Sequence, residues 1–581
     1  MINKVALKAG GPAGSGVFTI GAMFARSVQK MGLYVFYTAE YPSLIKGGHN
    51  SCYVRAEDEE VHSQIKTCDI LVALDKITID KHFNELTNNG AIIYDSELIK
   101  KEEININRND LILLPVPFYS LGKELGNKLY GNIVALGVIA GLINIDLEKI
   151  NIALEKQFEK KKGSEIAEIN KKAAKLGYDY FMNNFKIDFK VKLQKINREP
   201  TILLSGNEAA SIGAIKAGTK FVAEYPMTPS SGVLHFMAAQ EHNYNIVVKH
   251  TEDEIAAINM LTGSSMAGAR SLTATSGGGL SLMVEALGMA GLSETPLVII
   301  ESQRTGPSTG MPTYTEQSDL RFVLHASQGE FPRLVVAPGD QEEAFYETFK
   351  MFNLTDRVQT PGIILLDKHV SESSKTIKPF DTANLKIERG KLLKYEEAEK
   401  QIDYKRYKLT EDGISPRSIP GQPNCFYVST SYEHDETSFS CEESHNRIMQ
   451  VEKRAKKLKA IKDEEIAPKI FGDEKPDLTI VSWGSNKGMI LEAMKWLKND
   501  GFKVNFMHIL WINPFPVKKV SEVLSKAKKT LIVEGNSEAQ MRGLIREKTG
   551  FFIENTLLKY DGRPFDPEEI YQKAKELLLK K

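Results

Sequence analysis

From Thr201 onward the chain alternates short apolar runs with turns and helical stretches, and this alternation restricts it to an α/β sheet with helices on its faces. The runs are Thr201 to Leu204, Ile246 to Lys249, Ser271 to Thr275, Leu297 to Glu301, Leu334 to Ala337 and Gly362 to Leu366, with the brief strand Phe221 to Glu224 near the start. A turn at Ser205-Gly206-Asn207 and a small-residue helix from Glu208 to Gly218 open the unit. The expected architecture is a doubly wound parallel sheet, and such sheets bind ligands outside the carboxyl ends of their strands.

The same alternation lies on either side. Val5 to Ala9 enters Gly10-Gly11-Pro12-Ala13-Gly14-Ser15-Gly16 and then a helical pattern through Ile20, Phe24 and Val28. That corner reads as an anion-binding helix N-terminus or as a tight turn packing a helix on a sheet; no acidic residue ends the next strand, Tyr34 to Thr38, to hold a ribose. Further runs at Ile70 to Leu74, Ala91 to Tyr94 and Leu111 to Leu114 lead to a charged amphipathic helix pair over Glu155 to Phe185. The polar stretch Lys186 to Pro200 marks a boundary. From Pro379 to Pro468 regular alternation fails, and a basic helix, roughly Asn446 to Lys462, closes that segment with its lysines expected on a solvated face. Leu478 to Trp483 restarts the pattern, followed by a helix Gly488 to Leu497, a strand Lys503 to His508, a helix Val517 to Ala527 and a strand Thr530 to Glu534. A chain of 581 residues exceeds a single core, and these breaks divide it into 1–190, 200–378, 379–470 and 471–581.

Lys+Arg and Asp+Glu both number 75, so no net field favours nucleic acid or an anionic membrane. The longest apolar run, Ile133 to Leu142 with Ile143, falls short of the roughly 20 residues that span a bilayer. The N-terminal Met1 to Leu7 has no charged segment followed by a long apolar one, so a cytoplasmic protein is expected. Cys52, Cys68, Cys425 and Cys441 form no Cys-x-x-Cys pair, which argues against disulfides, zinc or an iron–sulfur site.

Unlike chemistry gathers between Thr251 and Arg304. Thr251-Glu252-Asp253-Glu254 opens a helix, Ser276-Gly277-Gly278-Gly279 follows one strand and Gln303-Arg304 follows the next. Thr251-x-x-Glu254 matches a capping box, in which Glu254 would bond back to the cap. Against that reading, the helix after it is small-faced (Ile255-Ala256-Ala257-Ile258, then Gly263, Ala267 and Gly268) and leads to a bare loop that a flat group could approach. A buried Glu254 beside a planar heterocycle would have a raised pKa and could share a proton with it. In Tyr225-Pro226-Met227-Thr228-Pro229 the prolines either hold the Thr228 hydroxyl in place or make a rigid turn before a helix cap. Arg304 could bind a carboxylate in two parallel hydrogen bonds, or pair with a neighbouring acid.

Taken together, Tyr225-Pro226-Met227-Thr228-Pro229, Glu252-x-Glu254-Ile255-Ala256-Ala257, Gly268-Ala269-Arg270 with Thr273-Ala274-Thr275-Ser276-Gly277, and Gln303-Arg304-x-Gly306-Pro307-Ser308-Thr309-Gly310 resemble the α subunit of 2-oxoacid:ferredoxin oxidoreductases of the 2-oxoglutarate synthase type. Gly11-Pro12-Ala13-Gly14-Ser15-Gly16 and Lys46-Gly47-Gly48-His49 resemble the family's γ domain, fused ahead of α. Tyr404-Lys405-Arg406-Tyr407 to Gly421 and Glu433-His434-Asp435-Glu436 resemble its interdomain segment, and Leu478 to Gly543 its transketolase-C-terminal-like domain. Two places depart from the pattern: Ser431-Tyr432 stands before Glu433-His434, and Ala539 before Gln540, where the family has glycine.

The resemblance implies three α/β domains: an N-terminal γ-type domain, a doubly wound thiamine-diphosphate pyrimidine-binding domain and a transketolase-C-terminal-like domain. It implies oxidative decarboxylation of a 2-oxoacid, 2-oxoglutarate or a broad range, with electrons passed through iron–sulfur centres to ferredoxin and the acyl group to coenzyme A. Glu254 would be catalytic, contacting the aminopyrimidine ring, with Tyr225, Pro226, Ser276 and Gly277 also lining the cofactor; Thr228 and Arg304 would hold the substrate. The chain has no Gly-Asp-Gly followed by an Asn pair and no Cys-x-x-Cys, so Mg2+ and the cluster are expected in a β subunit and no metal in this chain. The implied assembly is αβ or (αβ)2, inactive without β. Two alternatives stand beside it: a nucleotide-dependent oxidoreductase using the N-terminal glycine corner, and a non-catalytic assembly subunit of the same fold.

Overall fold

The computed structural model describes residues 1–44 and 47–580, and for 160–162 the backbone only; Lys46, part of the γ-like motif, lies outside the described residues. Two compact units are present: Met1–Leu204 with Ser373–Phe380 and Asp566–Glu569, and Ser205–Glu372 with Asp381–Phe565 and the stretch from Ile570. The first carries one sheet and the second carries two.

In the first unit the eight strands run in the order Ile112–Val116, Leu86–Asp95, Cys68–Ala73, Lys4–Pro12, His49–Glu57, Tyr34–Glu40, Ser374–Ile377 and Ile202–Ser205. The glycine corner is a packing device. A β-carbon on Gly10 would lie 2.7 Å from Thr78 Cγ2, one on Gly11 2.8 Å from Leu74 Cβ, and Gly16 sits at φ 87° before the helix Val17–Lys30. The helix pair begins earlier than Glu155, at Leu147–Lys162, because Asp146 accepts from the Glu148 amide and caps it; Ser164–Asn184 follows. The apolar run Ile133 to Ile143 lies inside the 13-residue helix Gly131–Ile143, buried in the core. Among the described residues no single helix is long and apolar enough to cross a membrane.

One expected strand changes place. Thr201 to Leu204, read as the opening strand of the second sheet, is Ile202–Ser205 at the edge of the first, beside Ser374–Ile377. The helix after it stays in the second unit: Ser205 and Glu208 form a capping box at its start, and Gly206 leaves no room for a β-carbon, which would lie 2.2 Å from the Val370 carbonyl.

The second sheet orders as Trp511–Asn513, Leu334–Val336, Gly362–Asp367, Val298–Gln303, Ser271–Thr275, Phe221–Glu224 and Val247–His250. All its pairings are parallel except the edge pair Leu334–Val336 with Trp511–Asn513. That edge strand comes from the C-terminal part of the chain. The third sheet, Lys469–Gly472, Val504–His508, Leu478–Ser482, Thr530–Glu534 and Asn555–Leu558, shares one core with the second: Ile299, Leu320, Val335 and Ile363 pack in a cluster with Val481, Trp483, Met507 and Ile532.

The basic helix Ser444–Lys456 is not a solvated face throughout. Lys453 and Lys457 are fully buried and both reach the carboxylate of buried Glu294, at 2.5 and 2.6 Å, while Lys457 also donates to the Gln359 carbonyl. A charge is buried at tolerable cost only when paired, and Glu294 pairs two. Arg406 joins them by donating to the Glu294 carbonyl, and Tyr407 stacks on His434 with ring centroids 3.6 Å apart.

Ala539, where the family has glycine, sits at φ 51° and ψ 55°. A side chain in that left-handed region is strained by roughly 1–2 kcal/mol, partly offset by glycine's larger entropy loss on folding. Ala539→Gly is therefore expected to stabilise the chain by about 0.5–1 kcal/mol, read as a rise in the urea midpoint. A lowered midpoint would show that the buried methyl contributes more than the strain costs.

Candidate active site

The strand order of the second sheet reverses at Phe221–Glu224: the chain moves from it to Val247–His250 on one side, then returns to Ser271–Thr275 on the other. A crevice opens at such a switch point, outside the carboxyl ends of the strands. Tyr225, Thr251 to Glu254, Ser276 and Arg304 follow four adjacent strands at this end.

Glu254 is not part of a capping box. The cap of the helix Glu254–Met266 is Asp253, whose carboxylate accepts from the Ala256 amide at 2.7 Å, while the Thr251 hydroxyl donates to the Asp253 carbonyl. Asp253, in extended conformation, takes the cap that Thr251 was expected to take, and Thr251 bonds only to the Asp253 carbonyl. Glu254 is thereby released into the crevice wall. It is 3% exposed, and its Oε1 has no hydrogen-bond partner. Burial pushes its pKa above the ordinary carboxylate value and Asp253 adds to this, against its own amide and Arg304.

Gly277 to Gly279, expected as a loop, form the first turn of the helix Gly277–Leu292, and this glycine turn is shaped around the carboxyl. A β-carbon on Gly279 would lie 2.1 Å from the Thr275 hydroxyl and 2.6 Å from Glu254 Oε1, and one on Gly277 would lie 2.5 Å from Asp319 Oδ2. Gly278, between them, is exposed and meets nothing within 4 Å. Ser276 is buried with its hydroxyl unpartnered. The glycine turn thus leaves an open approach at Gly278 over a buried acid.

Among the described residues Arg304 makes no ion pair within 4.0 Å. Its Nη1 donates to the Thr228 carbonyl at 2.8 Å, and its buried Nε has no partner. The Thr228 contact is through backbone, so the fixed Pro-flanked turn positions the guanidinium. Tyr225, on the same turn, is 37% exposed and lies beside His250, ring centroids 6.4 Å apart; Pro226 is partly buried.

Two acids that the sequence reading did not single out complete the site. Glu301, at 0% exposure in the strand Val298–Gln303, has no donor on either oxygen and faces the carboxyl of Asp319. Burial drives its pKa well above the ordinary value, with Asp319 and Asp367 adding, and burial raises Asp319 to about 6 against the opposing influence of Glu301 and Arg304. Asp319 is held by its amide, which donates to Gln303 Oε1 at 3.0 Å, while Gln303 Nε2 donates to the Leu366 carbonyl. The available signal for Glu301 was a lone carboxylate ending the apolar run Leu297-Val298-Ile299-Ile300; Asp319 carried none. Among the described residues no group of three His, Cys, Asp or Glu side chains could hold a metal ion.

Three stretches of the chain match known protein families. Residues 212–453 match the family described as pyruvate flavodoxin/ferredoxin oxidoreductase, thiamine diphosphate-binding; residues 6–180 match pyruvate ferredoxin/flavodoxin oxidoreductase; and residues 476–570 match pyruvate:ferredoxin oxidoreductase core domain II. The chain is 34% identical to the 2-oxoacid:ferredoxin oxidoreductase subunit alpha of Sulfolobus sp, over 97% of this chain and 95% of that one. It is 32% identical to the Saccharolobus solfataricus subunit alpha, over 99% and 98%. The solved 2-oxoglutarate:ferredoxin oxidoreductase from Magnetococcus marinus superposes with a TM-score of 0.91 at 32% identity, covering 99% of this chain and all of that one.

The loop geometry makes two neighbouring glycines unequal. Gly279→Ala is expected to cost about 1–3 kcal/mol by forcing Thr275 and Glu254 apart, whereas Gly278→Ala should change stability by less than about 0.5 kcal/mol. Equal urea midpoints for the two variants would contradict this packing.

Proposed function

The chain belongs to the α-subunit family of the 2-oxoacid:ferredoxin oxidoreductases, and we propose that its strand-end crevice holds the pyrimidine half of thiamine diphosphate while a β subunit completes the site. The enzyme is thiamine diphosphate-dependent, and this α subunit carries a γ-like N-terminal domain. The observation that carries the assignment is Glu254: a buried carboxyl whose Oε1 lacks a partner, beneath the glycine turn that opens the helix Gly277–Leu292, fits a flat nitrogen heterocycle. Ser276, with its buried unpartnered hydroxyl, Gly277, Tyr225 and Pro226 would line the same ring.

Thiamine diphosphate supplies, when bound, a carbon nucleophile for the keto carbon and a sink for the electron pair left when CO2 departs. Glu254 would hold the proton at a ring nitrogen, and the upward shift that burial gives its pKa makes that proton easier to keep. Arg304 would grip the substrate carboxylate: Nη1 is already anchored on the Thr228 carbonyl, which leaves the unpartnered Nε for the ligand. Thr228 would border the keto end. In the balanced reaction the bond between carboxylate and keto carbon would break to release CO2, the acyl group would form a thioester with coenzyme A with loss of the thiol proton, and the two electrons would go to ferredoxin, for which an iron–sulfur cluster would supply the carrier. The cluster and the Mg2+ that neutralises the diphosphate would reside in β. The Magnetococcus marinus relative is described with 2-oxoglutarate, coenzyme A and succinyl-CoA bound, which supports 2-oxoglutarate as substrate.

The test uses the α chain assembled with its β partner and a viologen dye as electron acceptor. Glu254→Gln should lower kcat by about 10²–10⁴-fold while the assembly still forms. Retained turnover rejects the assigned role. Arg304→Ala should raise KM for the 2-oxoacid by about 10–100-fold, the worth of a charge-assisted pair, with a smaller effect on kcat. An unchanged KM would remove Arg304 from the substrate site.

A further inference from the structure

Five buried cations crowd the seam where the segment after Pro379 packs against the elements of the second sheet: Arg270, Arg406, Arg417, Lys453 and Lys457, none more than 4% exposed. Two buried acids answer them. Asp356 meets Arg270 Nε at 2.9 Å and Arg417 Nη2 at 3.0 Å, with the partly exposed Arg389 at 2.7 Å besides. Glu294 meets Lys453 at 2.5 Å and Lys457 at 2.6 Å. Arg406 reaches neither carboxylate and donates to Gln359 Oε1 at 3.1 Å and to the carbonyls of Glu294 at 2.9 Å and Ser293 at 3.4 Å. Two further acids of this region, Glu388 and Glu433, are held by arginines of their own: Arg357 for the first, Arg447 and Arg454 for the second. The seam therefore buries more positive charge than its carboxylates compensate, which a protein interior tolerates only at high cost.

The excess has a place to be met. A cavity of about 10 Å³ lies between the two ion clusters, lined by Arg417 from the Asp356 group and Arg406 from the Glu294 group, with Met266, Tyr427, Ser293 and Thr295 around them. No carboxylate lines it. Arg417 Nε is buried and has no acceptor, whereas the Ser293 and Thr295 hydroxyls meet each other at 2.9 Å and Ser293 donates to the Met289 carbonyl. Met266 and Tyr427 are partly exposed and give the cavity a way in from solvent.

Size and charge together choose the occupant. A cavity must offer about 10–15 Å³ to hold one water, so sulfate, phosphate and carboxylates are too large for this one. A water could accept from Arg417 Nε but would leave the charge as it was. A single-atom anion does both. We propose that the cavity between Arg406 and Arg417 is a chloride site, in which one halide ion compensates the buried guanidiniums and fastens the segment after Pro379 to the second sheet's elements. Met266 ends the helix that Glu254 begins, so the ion sits at the far end of that helix from the crevice and supports it without touching substrate or cofactor.

The experiment uses the full chain assembled with its β partner. Thermal midpoints are compared at constant ionic strength in chloride, bromide, sulfate and gluconate, and crystals grown in bromide are measured for its anomalous signal. Chloride and bromide should raise the midpoint by about 2–4 °C over the other two anions and saturate as a single site does. Bromide should give a peak inside the cavity. General screening would act alike in all four salts. Arg417→Gln leaves Asp356 paired with Arg270 and Arg389, so the chain should fold and lose both the peak and the halide-specific rise. The two measurements on the native chain decide the matter even if that variant is unstable. The proposal is overturned by a water in the cavity of the bromide crystals, by equal midpoints in the four salts, or by a bromide peak with no halide-specific rise, which marks binding at crystal concentration only. A halide-specific rise that survives Arg417→Gln places the ion elsewhere and overturns it as well.

Discussion

The whole site depends on a steric vacancy at Gly279. A carboxyl can be buried beside a helix N-terminus without a partner only if its neighbours leave it space, and here even one β-carbon would strike both Glu254 Oε1 and the Thr275 hydroxyl. The same vacancy keeps the loop low enough for Gly278 to stay open above it. Burial then acts on the acid: it shifts the pKa of Glu254 upward, which would make a proton shared with a bound heterocycle easier to hold.

The rest of the second unit holds that arrangement rigid. Gln317, two residues before Asp319, donates to the Trp483 carbonyl at 3.0 Å, accepts from the Gly535 amide and the Asn486 amide at 2.8 Å, and through its own backbone amide reaches the Gly535 carbonyl at 2.7 Å. A single buried amide therefore ties the site loop to two strand ends of the third sheet. Glu343 does the same from the long helix Gln341–Val358, meeting Lys487 at 2.6 Å and His508 at 3.0 Å. Removing one partner of such a buried network leaves an uncompensated charge, so the third sheet supports the crevice without contributing a side chain to it.

Much of this was legible in the sequence, and the parts that were not share one physical cause. Alternation marked the strands of the second sheet because each strand is a local property, yet it could not say which sheet a strand joins: Ile202–Ser205 pairs with Ser374–Ile377, and Leu334–Val336 with Trp511–Asn513, across gaps far longer than any pattern. Lys453 reads as a surface lysine because its partner, Glu294, lies 159 residues away. The cap at Asp253 was missed for a different reason, since Thr251 and Asp253 are both good caps and spacing does not choose between them. Glu254, Thr228 and Arg304 could be singled out because each sits in unusual local company; whether they come together is decided by the sheet. Ala539 was visible as a departure from the resemblance, and its left-handed backbone explains why glycine is the ordinary occupant.

The electrostatics also explain why half a site can be stable by itself. A crevice that must later accept a cationic ring and an anionic substrate cannot carry full charges of its own without either repelling one of them or binding the wrong ion. Here the acids around Arg304 are shifted toward neutrality by burial, and Arg304 is held by a carbonyl and not by a carboxylate, so its charge is committed to no partner. Apolar side chains are among those exposed beside the site: Ile255 and Met260 on one wall helix, Leu282 on the other, and Tyr225 on the turn. A partner subunit that covered this rim would exclude water from Glu254 and Arg304 together, raising the pKa of the acid further and strengthening the grip of the guanidinium, so assembly itself would switch on both functions.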